Sequence, residues 1–203
     1  MNLSMKWLSD FVKLKVEPRD FSEKMSMSGS KVEGWKIEGE EIKNVVVGKI
    51  LSVDPHPDAD KLVVCQVDVG EGEPIQIVTG ATNIFPGALV PVAKDKSVLP
   101  GGKEIRKGKL RGVVSNGMLC SGEELCLKES DYPGAEVHGI LILQGDWAPG
   151  TDMRQVLQLD DVIVDFKITA NRPDCQSVLG VAREAAVALK KPFHPPVPAY
   201  AVQ

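Results

Sequence analysis

KLRGVVSNGMLCSGEEL, residues 109–125, holds the decision about the fold. It opens with two cations and two valines, in the manner of a β-strand. It breaks at Ser115-Asn116-Gly117, then resumes with Met118-Leu119-Cys120. It also closes a dense run of cations. From Lys94 to Arg111 there are Lys94, Lys96, Lys103, Arg106, Lys107, Lys109 and Arg111, opposed only by Asp95 and Glu104, so the local balance is 7 − 2 = +5. The whole chain carries −4, which makes this segment a true asymmetry. Charge runs commonly mark a solvated face, but cations clustered on a compact module are also the footprint of a polyanion site.

Upstream, short strand patterns recur. NVVVGKILSV has Gly48 as a bend or bulge. DPHPDAD is a turn segment. KLVVCQVDVG alternates, with Val63, Cys65, Val67 and Val69 on one face. PIQIVTG follows a hairpin signal at EGE, and ALVPVA carries Pro91, a residue of strand edges and bulges. With the 109–120 segment this gives five short strands joined by unequal loops, the pattern of a small barrel. GILIL (139–143) reads as a further strand attached to it.

The flanks differ. Ser4 can cap a helix with Trp7, Leu8, Phe11 and Val12 on one face, Asp20 a second helix with Phe21 and Met25, and Gly29 suits its end. KVEGWKIEG alternates loosely, with Val32 and Ile37 pointing inward. DDVIVDFKI is a β-rich run, followed by a turn and a strong helix with Asp174 as N-cap and an apolar face of Val178, Leu179, Ala182, Ala185, Ala186 and Leu189. PFHPPVPAY is proline-rich and extended. The expected fold class is α+β: a five-stranded barrel inserted into a split α+β domain. Its parts are residues 1–39, the barrel at 40–149, the second part at 150–192 and a proline-rich linker at 193–203.

Composition narrows the function. At 43% apolar and 26% charged, the chain of 203 residues has a soluble globular balance. No run approaches the ~18 apolar residues of a membrane span, and Asp10 and Lys13 interrupt any leader-like pattern at the N-terminus. The four cysteines form no CxxC pair, which favours reduced thiols over a zinc site. There is no GxSxG, Walker loop, HExxH or GxGxxG. His56, beside Asp58 and Asp60, could serve metal or acid–base chemistry, but a tight solvent loop is the simpler reading. Glu123-Glu124 reads as solvated surface and Cys120 as structural. Phosphate binding explains the basic segment better than catalysis does.

GKILSVDPHPDADKLVVCQVDVG, IVTGATNI, GALVPVA and LPGGKEIRKGKLRGVVSNGMLCSGEEL, in this order over most of 42–127, resemble the tRNA-binding OB-fold module appended to several aminoacyl-tRNA synthetases. MKWLSDFVKL, SMSGSKVEGW and ITANRPDCQSVLGVAREAAVAL resemble the N-terminal region of the bacterial phenylalanyl-tRNA synthetase beta subunit, where such a module interrupts a split α+β domain. Ala170 departs from the proline common before Asn-Arg-Pro-Asp. The resembling subunit is much longer, so the resemblance implies that this chain is a fragment.

The same resemblance implies roles for single residues. The Ser-x-Gly-Met turn, here Ser115, Gly117 and Met118, would mark the RNA-binding region. Ser115 and Asn116 would offer hydrogen bonds, and Met118 would touch a base or ribose or, equally, cap the barrel core. Lys103, Arg106, Lys107, Lys109 and Arg111 would supply the electrostatics. Lys61 and Asn83 would line neighbouring loops, although Asn83 could instead make an Asx-type turn. By the same resemblance, the parent would be a cytoplasmic two-alpha, two-beta heterotetramer that joins phenylalanine to its tRNA with ATP and magnesium. The fragment would bind tRNA, hold no cofactor of its own and catalyse nothing. The rival expectation is a subunit-packing module without RNA affinity.

Overall fold

The computed structural model describes residues 1–197; the end of the expected linker, 198–203, lies outside the described residues. In chain order the elements are β1 (Asn2–Ser4), α1 (Met5–Leu8), α2 (Pro18–Met27), β2 (Val32–Ile37), β3 (Lys43–Pro55), β4 (Val63–Asp68), β5 (Ile75–Thr79), β6 (Leu89–Leu99), β7 (Lys103–Ile105), β8 (Gly108–Leu110), β9 (Val113–Ser115), β10 (Gly117–Leu119), α3 (Met153–Val156), β11 (Val162–Phe166) and α4 (Val178–Leu189). They gather into two compact units: Met1–Glu38 with the chain from Asp160 onward, and Gly39–Leu159. The second boundary lies ten residues beyond the expected 149, because Met153, Val156 and Leu159 pack into the core of the middle unit. None of the helices among the described residues is long and apolar enough to cross a membrane.

The unit built from both chain ends is a three-stranded antiparallel sheet in the order β1-β11-β2, with α2 and α4 contributing to its core. Leu3, Leu8, Val12, Phe21, Met25, Val164, Phe166, Val181, Ala182 and Ala185 are buried there, and Phe21 meets Phe166 edge-on at 6.3 Å between ring centres. Ser4 caps α1 by accepting the Trp7 N–H, and its hydroxyl also bonds the Asp161 carboxylate. The first helix is only one turn long, so Trp7 stays exposed instead of joining an apolar stripe. α2 starts at Pro18, two residues before the expected Asp20 cap, because proline needs no N–H partner at a helix start. α4 is capped by Ser177, whose hydroxyl accepts the Gly180 N–H; Asp174 instead sits in a 3-10 turn over Pro173–Gln176. The start of the tail is less linker-like than its prolines suggest. Phe193 packs on the core beneath the Arg183 guanidinium, and the His194 N–H donates to the Phe11 carbonyl.

The middle unit is a strongly curled antiparallel sheet. Its strands follow the path β10-β6-β3-β4-β5, with β7 also on β6. β3 is buried on both faces: Val45 and Val47 belong to one apolar cluster, Val46 and Ile50 to the other. That is why its sequence is a continuous apolar run and not an alternation. Gly48 is needed for close approach, since a Cβ there would lie 2.4 Å from Val92 Cγ2 and 2.7 Å from Val67 Cγ1. The register shifts lie on either side of it, between Lys43 and Val45 against β6 and between Ile50 and Ser52 against β4, the latter leaving Leu51 exposed. The curl brings β5 against the link between β9 and β10: Asn116 N–H donates to the Gln76 carbonyl at 2.8 Å, and Ser115 Oγ accepts the Val78 N–H at 3.0 Å. Cys65, Val67, Ile77, Val90 and Leu119 fill the inside.

Two expectations for this unit need correction. GILIL forms no strand; Leu141 and Leu143 are buried while their N–H groups bond the carbonyls of Cys120 and Leu89. The 109–120 segment is not one strand either. It is a hairpin of β8 and β9 followed by the separate β10, and the SNG kink only joins β9 to β10.

Candidate nucleic-acid interface

The basic segment occupies one limb of the middle unit: the end of β6, β7, and the β8–β9 hairpin. The hairpin pairs Gly108 with Ser115, Lys109 with Val114 and Leu110 with Val113. Its two-residue loop is Arg111-Gly112, with φ of 46° and 89°. Positive φ at both central residues is what a tight type I′ hairpin loop requires. Glycine meets that demand freely, whereas arginine in the left-handed region costs about 1 kcal/mol.

The seven cations divide by what surrounds them. Lys94 pairs with Glu71 at 2.7 Å, Lys103 with Glu124 at 3.4 Å, and Arg106 with Glu104 at 2.7 Å. The Glu104 hydrogen bond holds the Arg106 guanidinium above its ordinary pKa. Lys96, Lys107, Lys109 and Arg111 are exposed and enter no ion pair among the described residues. The Lys107 backbone is anchored, its N–H donating to the Asp95 carboxylate at 2.8 Å, while its ammonium is left outside. Lys61, at the end of the 56–61 loop, is exposed as well.

The polar residues of the expected site are occupied in holding the chain. Ser115 is 3% exposed, and its hydroxyl is used twice, accepting the Val78 N–H and donating to the Gly117 carbonyl at 2.9 Å. Gly117 has no room for a side chain: a Cβ would lie 2.4 Å from the Ala93 carbonyl oxygen. Asn116 is half-buried, and its N–H makes the bond to Gln76 across the closing strands. The Asn83 amide brackets Ile140, donating to its carbonyl at 2.8 Å and accepting its N–H at 3.0 Å. Met118 is half-buried against the apolar cluster and also lines a surface cavity of about 1000 Å³, together with Lys103, Leu119, Cys126 and His138. Cys120 is structural: burial pushes its thiol up to about 12.

Two residues outside the expected site meet the hairpin directly. His56 is not in a solvent loop; it is 6% exposed, and its Nε2 lies 3.1 Å from the Leu110 carbonyl. Gln76 Nε2 donates to the Val114 carbonyl at 2.7 Å. The placement of a histidine between two prolines was the available signal for the first, but its partner lies 54 positions away.

An exposed limb with four uncommitted cations, carried on a curled sheet of short strands, fits the family whose description, putative tRNA binding domain, matches residues 45–152. The chain belongs to that family. Over 193 residues it is 51% identical to the phenylalanine–tRNA ligase beta subunit of Clostridium acetobutylicum, covering 95% of this chain and 24% of that protein. Over 189 residues it is 50% identical to the same subunit of Clostridium tetani, covering 93% and 23%. The chain therefore spans about a quarter of the length of the curated relatives it matches. A solved structure, a MetRS related protein from Pyrococcus horikoshii, is 21% identical over 54% of this chain and 87% of that one, with a TM-score of 0.35.

Proposed function

We propose that this chain is the tRNA-binding part of a phenylalanine–tRNA ligase beta subunit, and that it helps to place tRNA for aminoacylation without catalysing it. The middle unit is read as an OB-fold barrel inserted into a split α+β domain. The path β10-β6-β3-β4-β5, with Asn116 just before β10 bonded back to Gln76 of β5, supports that reading, as does the antiparallel pairing of β11 between β1 and β2. In the whole ligase the further partner would be the alpha subunit, in a two-alpha, two-beta assembly in the cytoplasm. Among the described residues no cluster of His, Cys, Asp and Glu could hold a metal ion. On this reading ATP and magnesium belong to the parent complex.

One observation carries the reading: Lys96, Lys107, Lys109 and Arg111 stand exposed and uncommitted on one limb, in a chain whose net charge is −4. Ion-paired cations must first leave a carboxylate to engage a phosphate, whereas free ones engage it directly and release its counterions. An arginine held at positive φ supports the same conclusion, because a glycine or asparagine would serve the turn at lower cost. Lys107→Ala/Lys109→Ala/Arg111→Ala is expected to flatten the log Kd against log salt slope for tRNA by about 2–3 units, at roughly 0.7–0.9 per phosphate contact. Fluorescence anisotropy over a salt series measures it. A folded wild-type chain that fails to bind tRNA at low salt would leave the subunit-packing reading in its place.

A further inference from the structure

The β8–β9 hairpin has little core of its own, since Leu110 and Val114 are exposed at 41% and 39%. An isolated two-stranded ribbon is marginal in water. Something else must fix where its cations point. Two side-chain donors do so, one on each strand. Gln76 holds the Val114 carbonyl of β9 at 2.7 Å, and His56 reaches the Leu110 carbonyl of β8 at 3.1 Å.

The tautomer of the neutral His56 ring is set by its second bond. The Asp58 N–H points at Nδ1 from 3.1 Å, so Nδ1 must accept. The ring proton is then on Nε2, which donates to Leu110. The imidazole thus ties its own loop to β8, with its two nitrogens in fixed roles. Leu110 lies between Lys109 and Arg111, so the bond clamps the chain at the midpoint of two uncommitted cations. The ring is almost fully buried and has no other polar partner among the described residues, which distinguishes a clamp from a ligand contact.

We propose that His56 is a positioning residue for tRNA binding: it touches no RNA itself but pins the basic hairpin so that Lys109 and Arg111 engage phosphates together. This rests on the tRNA-binding reading above. Preorganisation of this kind improves affinity by removing the cost of ordering the loop on binding.

A double-mutant cycle on the full chain tests it. His56→Ala is expected to weaken tRNA binding roughly five-fold, the net worth of about one hydrogen bond. In the Lys109→Ala/Arg111→Ala background the same change should cost almost nothing, because the cations it positions are gone. His56→Gln, whose amide can still donate to Leu110, should recover most of the affinity. Amide exchange at 110–114 should quicken in His56→Ala and not in His56→Gln. Losses that simply add would overturn the proposal, as would a folded His56→Ala chain that binds like wild type. Failure of the wild-type chain to bind would instead remove the tRNA reading on which the proposal stands. If His56→Ala does not fold, Gln76→Ala takes its place in the cycle, with the same non-additivity expected.

Discussion

Arg172 and Arg111 both sit in polar turns next to residues that bend the chain, Pro173 in one case and Gly112 in the other. Their surroundings make them opposites. Arg172 is half-buried and saturated: it reaches Asp174 at 3.0 Å, Glu184 at 3.0 Å and the Cys175 sulfur at 3.0 Å. Its hydrogen bonds to Asp174 and Glu184 hold it well above the usual arginine pKa, and Arg172 in turn holds Asp174 down at about 2. Arg111 is exposed, unpaired and set at a strained φ. One cation fastens a turn onto a helix. The other is held out where a ligand can take it. Equal formal charges in a sequence therefore say little until their carboxylates are located.

The contrast can be pressed hardest at the fastened end. A Cβ on Gly180 would lie 1.7 Å from the Asp174 carbonyl oxygen, inside the turn that Arg172 secures. Gly180→Ala is expected to lower stability by about 3 kcal/mol, because backbone rather than a flexible side chain must move. Urea unfolding measures it, and a loss under about 1 kcal/mol would mean that the turn yields easily. Next comes Arg172→Ala, which should lower the melting temperature while leaving tRNA affinity within about two-fold.

The same cluster has a pH signature. The Asp174 carboxyl is depressed from 3.8 to about 2 when folded, so its contribution is present above pH 3.8 and is lost as pH falls toward 2. An Asp174→Asn chain should lack that part of the acid transition when melting is followed from about pH 5 to about pH 2. The smallest effect on stability belongs to the free arginine. Arg111→Asn should keep or raise stability by about 0.5 kcal/mol, since asparagine tolerates the left-handed region better. It should also flatten the salt slope for tRNA by about 0.7–0.9. A stability loss with no change in slope would place Arg111 beside Arg172 after all.

The curled sheet was readable in the sequence where a regular period expressed burial. Cys65, Val67 and Val69 alternate inward as their spacing requires, and the continuous run in β3 reflects two buried faces. The hairpin was hidden because its turn is Arg-Gly, while the more turn-like Ser-Asn-Gly a few residues later only links two strands. The cap of α4 was misplaced for a related reason: Asp174 and Ser177 are both good caps, and Pro173 turns the chain between them into a 3-10 segment. In the site, the cations were legible as a group because charge is carried by composition. Which of them are free was not, since Glu71 and Glu124 come from distant segments. The intramolecular bonds of Ser115 and Asn83 were hidden for the same reason: their partners, Val78 and Ile140, lie 37 and 57 positions away.

The order of the strands has a temporal meaning. β11 is the middle strand of its sheet, yet it is made last, with β1 on one side and β2 on the other. During synthesis the first 37 residues therefore emerge long before the strand that joins them, while every strand of the curled unit lies between residues 43 and 119. Because a nascent chain folds whatever is already complete, the middle unit can settle first and bring the two ends of the chain closer than an unfolded loop of that length would. The terminal sheet then closes as a late, long-range step, the kind that topology makes slow.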